Sequence, residues 1–268
     1  MTAKTILLTG ATDGIGLATA KMLLEQGHTV LLHGRNAAKL DTVVNDLSTL
    51  SGGGHIESYL ADLSNMADVE ALAKAVTEKH KSLDVLINNA GVLKAPETTT
   101  AKGLDIRFVV NTLAPYWLTK RLMPLLGTRG RVVNLSSAAQ APVDVKAMAG
   151  GAPMDDMAAY SQSKLAITMW SRAMAQANPN GPMVVAVNPG SLLASKMVKE
   201  GFGIAGNDIN IGADILVRAA LSDEFAAASG KYFDNDAGQF APPHPDGIND
   251  AKIAEVMSAI DAVLVDIV

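Results

Sequence analysis

The sequence predicts an α/β fold in which one doubly wound, mostly parallel sheet carries helices on both faces. Three observations predict it. Short apolar runs alternate along the chain with longer amphipathic stretches. Most of the apolar runs are continuous rather than alternating, the pattern of strands buried on both faces. A glycine-rich turn, Thr9 to Gly16, joins the first run to the first amphipathic stretch.

Taken in order, Thr5–Leu8, Thr29–Leu32, Ile56–Leu60, Val85–Ile87, Val132–Leu135 and Val184–Val187 read as strands. Ile15–Gln26, Ala37–Leu50, Met66–Lys79, Gly103–Leu126 and Ala158–Ala177 read as helices, with a last one near Asp250–Leu264. Right-handed crossovers then restrict the topology. Ser51–Gly54 reads as a turn, and Phe240–Gly247, with three prolines, as a surface loop. Gln140–Met157 and Ser195–Asn210 have no clear period. Long irregular segments in compact domains tend to be functional, so segments near 140–157 and 191–210 are expected to cover a substrate. No repeat or linker divides the 268 residues, and a single domain over 1–268 is expected.

Composition narrows the function. Aromatic residues make up 4% of the chain, so the core has to be built from Ala, Val, Ile, Leu and Met. The net charge of −5 and the lack of a Lys/Arg run argue against nucleic acid as a partner. With no cysteine, disulfides, thiolate chemistry and Cys-based metal sites are excluded, and no metal is expected. A strand starting at Thr5 leaves no space for a signal peptide, and no apolar run approaches the roughly 20 residues of a membrane span. A cytoplasmic protein without a membrane partner is expected.

The glycine turn carries the first chemistry. In Thr9-Gly10-Ala11-Thr12-Asp13-Gly14-Ile15-Gly16, Gly10 permits the tight turn, Gly14 lets backbone approach a pyrophosphate, and Gly16 allows helix and strand to pack closely. The following helix offers free N–H groups to phosphate. Its place between strand and helix marks it as a dinucleotide site rather than an ordinary turn. At the end of the second strand, His33-Gly34-Arg35-Asn36, no carboxylate is present to take a ribose 2′-hydroxyl, whereas Arg35 is shaped to clamp a 2′-phosphate. NADP(H) is therefore the expected cofactor, with NAD(H) as the alternative. Asp13, if it faces the same phosphate, opposes that preference.

The second chemistry is Tyr160-Ser161-Gln162-Ser163-Lys164. Residues four apart share a helix face, so the Lys164 ammonium is expected near the Tyr160 phenol, lowering its pKa from about 10 and fitting it for proton transfer.

These motifs together resemble the short-chain dehydrogenase/reductase family, over about Lys4 to Phe233. The Thr-Gly-x-x-x-Gly-x-Gly spacing, Ala61-Asp62-Leu63-Ser64 and Asn88-Asn89-Ala90-Gly91 are similar to its cofactor motifs at successive strand ends. The resemblance implies a Rossmann-type domain. It implies that Asp62 and Leu63 meet the adenine and that Asn89, Ala90 and Gly91 pass beneath the adenosine. Thr12, Asp13 and Ile15 enter the cofactor set as members of the glycine loop. After Val184–Val187, Pro189-Gly190 resembles the family's nicotinamide-side motif, with Ser195 as the hydroxyl that follows and Ser191 as a weaker alternative. The same resemblance gives Tyr160 and Lys164 both catalytic and cofactor-binding roles. It makes the serine after the fifth strand a polarising group: Ser137, or Ser136 if the register shifts by one. It also makes Asn111 the residue that helps hold a proton-relaying water.

The gap between Ser137 and Tyr160 is wider than the family's usual one, and Ala159–Ala166 looks like the retinol-dehydrogenase-like members that share this enlargement. The implied activity is NADP(H)-dependent interconversion of a carbonyl and an alcohol on a small, apolar substrate. A homodimer or homotetramer is the implied assembly. Two other readings remain at this stage. A non-catalytic NADP(H)-sensing protein would be expected to lose Tyr160, Lys164 or the serine. An epimerase or dehydratase would need a larger C-terminal domain than this length allows.

Overall fold

The computed structural model describes residues 2–50 and 52–268. One eight-stranded sheet runs through it in the order β3-β2-β1-β4-β5-β6-β7-β8. The strands are β1 (Thr5–Leu8), β2 (Thr29–Gly34), β3 (His55–Leu60), β4 (Val85–Asn88), β5 (Arg131–Leu135), β6 (Met183–Asn188), β7 (Tyr232–Asp234) and β8 (Gln239–Phe240). All pairings are parallel except that of β8, which returns antiparallel to β7. The helices are α1 (Gly14–Glu25), α2 (Ala37–Ser48), α3 (Met66–Lys79), α4 (Ile106–Phe108), α5 (Ala114–Leu126), α6 (Val145–Met148), α7 (Asp156–Ala177), α8 (Lys196–Phe202), α9 (Ile209–Leu221) and α10 (Asp250–Ile267).

The continuous apolar strands are explained by two separate cores. Leu7, Leu31, Leu86, Val132 and Val184 face one side, where α3, α5 and α7 pack. Their neighbours Ile6, Leu8, Val30, Ile87, Val133 and Val185 face the other, under α1, α2 and α9. Since successive side chains point to opposite faces, the central positions of these strands are apolar on both sides. The helix α10 lies outside α7 and adds Ile253, Val256 and Ile260 to the first core.

Four sequence expectations are corrected. Gly103–Leu126 is not one regular helix: residues 101–103 form a turn, and a π-helical stretch, Val109–Leu113, separates α4 from α5. Gln140–Met157 holds the short helix α6 and the start of α7, and Ser195–Asn210 holds α8. The helix α9 and the strands β7 and β8 were not expected at all. Phe240–Gly247 is only in part a loop, because Phe240 belongs to β8 and a 3-10 turn covers Pro245–Ile248. Of the expected turn Ser51–Gly54, Ser51 lies outside the described residues; Gly52–Gly54 lead into β3.

The strand order reverses between β1 and β4. Open α/β sheets bind ligands at such a switch point, outside the carboxyl ends of the strands.

Candidate active site

At that switch point lies a cavity of about 580 Å³, within the usual size of a small-molecule site. The glycine loop forms its floor. Gly10 has φ +65°, and a Cβ there would come within 2.8 Å of the Ala90 backbone. A Cβ on Gly16 would lie 2.1 Å from the Gly10 carbonyl oxygen, so strand end and helix start approach as closely as backbone permits. Thr12, Asp13, Gly14 and Ile15 complete this wall. Asp62 and Leu63 from the end of β3, and Asn89, Ala90 and Gly91 from the end of β4, line the opposite side. Asn89 is fixed by its amide, which donates to the carbonyls of Thr9 and Gly10 at 2.9 and 3.0 Å. The Asp62 carboxylate accepts from the backbone and hydroxyl of Ser64 at 2.9 and 2.8 Å, an internal turn that shapes the loop.

Arg35 lines the same cavity, exposed and with no ion-pair partner among the described residues. Lys39, one turn along α2, lies there too; the sequence reading missed it, although its position four residues after Arg35 was a legible signal. Its ammonium pairs with Asp13. Burial pushes the Asp13 carboxyl up, but the hydrogen bonds from Lys39 and from the Gly14 amide outweigh it and hold the carboxyl below its usual value. Asp13 also caps α1 through that 2.8 Å bond to Gly14. The carboxylate thus remains in the cavity wall with its charge paired to Lys39.

At the far end stand Tyr160 and Lys164, on one face of α7. The Lys164 ammonium, on a side chain only 4% exposed, donates to the Leu135 carbonyl at the end of β5 at 2.7 Å and lies 5.6 Å from the centre of the Tyr160 ring. Burial pushes the Lys164 amine down to about 8. Burial also raises the Tyr160 phenol above its ordinary value, while the hydrogen bond from Ser137 acts the other way. This corrects the expectation that Lys164 depresses the phenol: burial of the phenol dominates, and what opposes it is the hydrogen bond from Ser137.

The two serines separate cleanly. The Ser136 hydroxyl is buried, 3.0 Å from the Lys164 carbonyl and 2.7 Å from Thr168 Oγ1. Ser136 touches the cavity wall but spends its hydroxyl inside the protein. The side chain beside the phenol is Ser137. The Ser137 backbone carbonyl is held by the amide of Gln140 at 2.9 Å and the hydroxyl of Tyr232 at 3.1 Å. Ser137→Ala is expected to lower kcat/KM by about 10²-fold or more with a small loss of thermal stability, since its hydroxyl accepts only the half-buried Ala139 amide at 3.1 Å. Ser136→Ala is expected to lower stability by about 1–3 kcal/mol with a smaller effect on rate. Thermal melts and steady-state kinetics of the two variants separate the roles, and the reverse pattern would exchange them.

Asn111 lies in the π-helical stretch and is fully buried. Its amide donates to the Val92 carbonyl at 2.9 Å and the Ser163 hydroxyl at 3.0 Å, and its oxygen accepts from the Val92 amide at 2.8 Å. The side chain thus ties the π-helical stretch to the segment after β4 and to α7. Such π-turns occur often at functional sites.

The lid is partly as expected. Pro189, Ser195, Lys196, Met197 and Glu200 line the cavity, and Gly190 and Ser191 do not. Ser195 caps α8, its hydroxyl accepting from the Val198 amide at 3.2 Å. Ser191 is bound to Asp236 through both its amide and its hydroxyl. Leu192, at φ +53°, is the one non-glycine in the left-handed region among the described residues, at the base of this lid. None of residues 140–157 lines this cavity. That segment is anchored beside it, with Gln140 on the Ser137 carbonyl and Met148 fully buried.

Known proteins resemble this arrangement. Residues 4–202 match the short chain dehydrogenase family. Human retinol dehydrogenase 13 is 30% identical over 258 residues, covering 86% of this chain and 76% of its own length. Human polyprenol dehydrogenase is 34% identical over 173 residues, covering 62% of this chain and 52% of its own. Among solved structures, the Pseudomonas aeruginosa RhlG/NADP active-site complex superposes with a TM-score of 0.70 at 25% identity, covering 89% of this chain and 96% of that one. Landomycin C-6 ketoreductase LanV with bound NADP and rabelomycin gives 0.68 at 27%, covering 88% and 96%. A glycine loop opening α1 and a Tyr–Lys pair on α7, joined by one cavity and matched over most of the chain, leave a single assignment: this is an oxidoreductase of the short-chain dehydrogenase family, within its retinol-dehydrogenase-like subgroup.

Proposed function

We propose that the chain is an NADP(H)-dependent oxidoreductase that interconverts a carbonyl and an alcohol on a small, apolar substrate. The observation that carries this reading is the single cavity joining the Arg35–Lys39 end to the Tyr160–Lys164 end. The family uses nicotinamide dinucleotides, and the cradle fits one: the backbone closes to contact distance at Gly10 and Gly16, and Arg35 and Lys39 line the end of the cavity beyond β2, which supports a 2′-phosphate there.

When bound, the nicotinamide supplies or accepts the hydride. Gly14, Ile15 and the first amides of α1 would hold the pyrophosphate. Arg35 and Lys39 would hold the 2′-phosphate. Asp62 and Leu63 would flank the adenine, Asn89 to Gly91 the adenosine, and Pro189, Gly190 and Ser195 the nicotinamide side. Lys164 would hold the nicotinamide ribose.

In reduction, Tyr160 gives its proton to the carbonyl oxygen. A phenol raised above its ordinary pKa is fully protonated at neutral pH, which is the species this step requires. Ser137 donates to the same oxygen as negative charge develops there. Lys164 keeps a positive charge below pH about 8, beside the phenolate that forms. Asn111 would help hold a water that returns the proton. The lid residue Met197 and the cavity residues Leu93 and Val110 favour an apolar substrate. The names of the relatives make a retinoid or other isoprenoid alcohol the first to try. No helix among the described residues is long and apolar enough to cross a membrane.

The test is NADPH and NADH turnover against a panel of retinoids, aldehydes, ketones and quinones. A protein inactive with every carbonyl and alcohol would be binding the cofactor for another purpose. For cofactor choice, a charge-assisted bond to phosphate contributes about 1.5–3 kcal/mol, or roughly 10- to 150-fold in affinity. Arg35→Ala is expected to weaken NADPH by that factor and leave NADH unchanged. High salt is expected to narrow the difference, since the pair is exposed. Equal losses for both cofactors in calorimetric titrations would make Arg35 a general wall residue and the enzyme dual-specific.

A further inference from the structure

His33, the second-last residue of β2, is buried at 3% exposure and touches two of the segments that build the cradle, the glycine loop and the end of β3. Its Nδ1 accepts from the Gly10 amide at 3.1 Å. Its Nε2 lies 3.0 Å from the Ala61 carbonyl, which can only accept. The two contacts together fix the neutral tautomer with the proton on Nε2. The His33 backbone carbonyl accepts from the next amide of the loop, Ala11, at 2.9 Å. The two successive amides that open the glycine turn are therefore both bound by one residue. The same ring reaches Ala61, directly before Asp62 and Leu63. His33 also lines the cavity itself.

A protonated ring cannot make this set of contacts. Charging Nδ1 would set one N–H against another at Gly10, and the loop would have to turn away. The charges around the ring are few. Asp62, from the β3 end, favours the charged form, while burial disfavours it more strongly and pushes His33 below its ordinary value of 6.5. Asp13 on the glycine loop and Arg35 and Lys39 beyond the β2 end line the same cavity, Asp13 and Lys39 paired with each other.

We infer that His33 is a positioning residue of the cofactor site, which holds the glycine loop in its binding shape only while its ring is neutral and so makes dinucleotide binding acid-sensitive. The inference rests on the chain binding a nicotinamide dinucleotide, not on its preference for NADP(H) or on the roles of Tyr160 and Ser137. It assigns His33 an effect on the backbone shared by both cofactors, where Arg35 acts on the 2′-phosphate alone.

The sign follows from the geometry. The unfolded chain and the open loop take up the proton near the ordinary value of 6.5, before the closed cradle does. Affinity is therefore full above that pH and falls as the solution is acidified.

The experiment is calorimetric titration of NAD⁺ and NADP⁺ into full-length wild type, His33→Asn and His33→Leu between pH 5 and 8. NAD⁺ is the decisive probe, because it has no 2′-phosphate monoester to titrate in that range. An asparagine oxygen at the Nδ1 position still accepts from Gly10 but does not titrate. His33→Asn is expected to bind both cofactors within about threefold of wild type at pH 8 and to lose the acid limb for NAD⁺. His33→Leu, which leaves the Gly10 amide without a partner, is expected to weaken both by about tenfold or more. Near-ultraviolet circular dichroism establishes that each variant is folded, and His33→Asn keeps the test valid if His33→Leu is not. An acid limb for NAD⁺ unchanged in His33→Asn would overturn the inference, as would wild-type affinity in folded His33→Leu. Failure of wild type to bind either dinucleotide would remove the cofactor reading and this inference together. A loss confined to NADP⁺ would move His33 into the same role as Arg35 and so also count against it.

Discussion

Tyr160→Phe is expected to reduce turnover by about 10²–10⁴-fold, the range of a lost general acid, while NADPH binds nearly as before. The substitution removes one oxygen and leaves the ring on its face of α7. The Lys164 ammonium remains tied to Leu135, so the ribose-binding group stays in place. The phenol is above its ordinary value in the free protein, so the reductive rate should not depend on Tyr160 ionising near neutrality. Single-turnover measurements with saturating NADPH isolate the chemical step from release. Turnover within a few-fold of wild type would place the proton donor elsewhere.

Lys164→Met is expected to give the opposite result in stability to its result in activity. An ammonium pushed down to about 8 in the folded state is held there against its solvation. At about 1.4 kcal/mol per pKa unit, the burden at neutral pH is on the order of 3 kcal/mol. Methionine fills similar space without charge and leaves the Leu135 carbonyl without its donor, which costs about 1–2 kcal/mol. The net is a fold more stable by on the order of 1 kcal/mol, a rise of a few degrees in Tm. Turnover is expected to be abolished and cofactor affinity reduced, since both the ribose contact and the charge beside Tyr160 are gone.

The pH dependence gives a separate signature. Between pH 8 and the ordinary value of 10.5, the unfolded chain keeps the Lys164 proton and the folded chain sheds it. Wild-type stability should therefore rise with pH across that window relative to Lys164→Met, and the advantage of the variant should shrink. Parallel Tm–pH curves for the two proteins would show that burial of Lys164 opposes folding very little.

The parts of the molecule that were legible in the sequence are those with strong local signals. The strands β1, β2, β4, β5 and β6 announced themselves because burial on both faces demands apolar runs, while the edge strand β3 was marked by its apolar ends at Ile56 and Leu60. Tyr160 and Lys164 were legible because four residues make one helical turn. What stayed hidden depended on partners distant in sequence. The helix α9 carries Gly212 in its interior, which reads as a breaker; a Cβ there would come within 2.5 Å of a Leu193 methyl and 3.3 Å of Ile15, so the glycine serves close packing instead. The three-residue β7 and two-residue β8 are too short to show a period. The engagement of Asp13 by Lys39 spans 26 positions, so the counter-charge of the acidic loop residue could not be read locally. Lys164 shows the limit of spacing alone, which placed the ammonium near the phenol but could not weigh that charge against burial. For the same reason His33 read as one residue of a strand.

The short return of β8 also bears on how copies of this protein can meet. A parallel sheet left open presents a row of unpaired amides and carbonyls, along which a second chain can add a strand. Here that edge is two residues long and is followed, after Ala241, by Pro242 and Pro243, which have no amide proton to offer. The opposite edge, β3, carries Glu57, surrounded by Lys79 and His80, so a strand laid against it would have to contend with a cluster of charge. Both borders of the sheet are thus poor templates for edge-to-edge growth. Self-association is directed to the helical faces, and misassembly into extended β-structure is disfavoured without any loss of the central strands that hold the site.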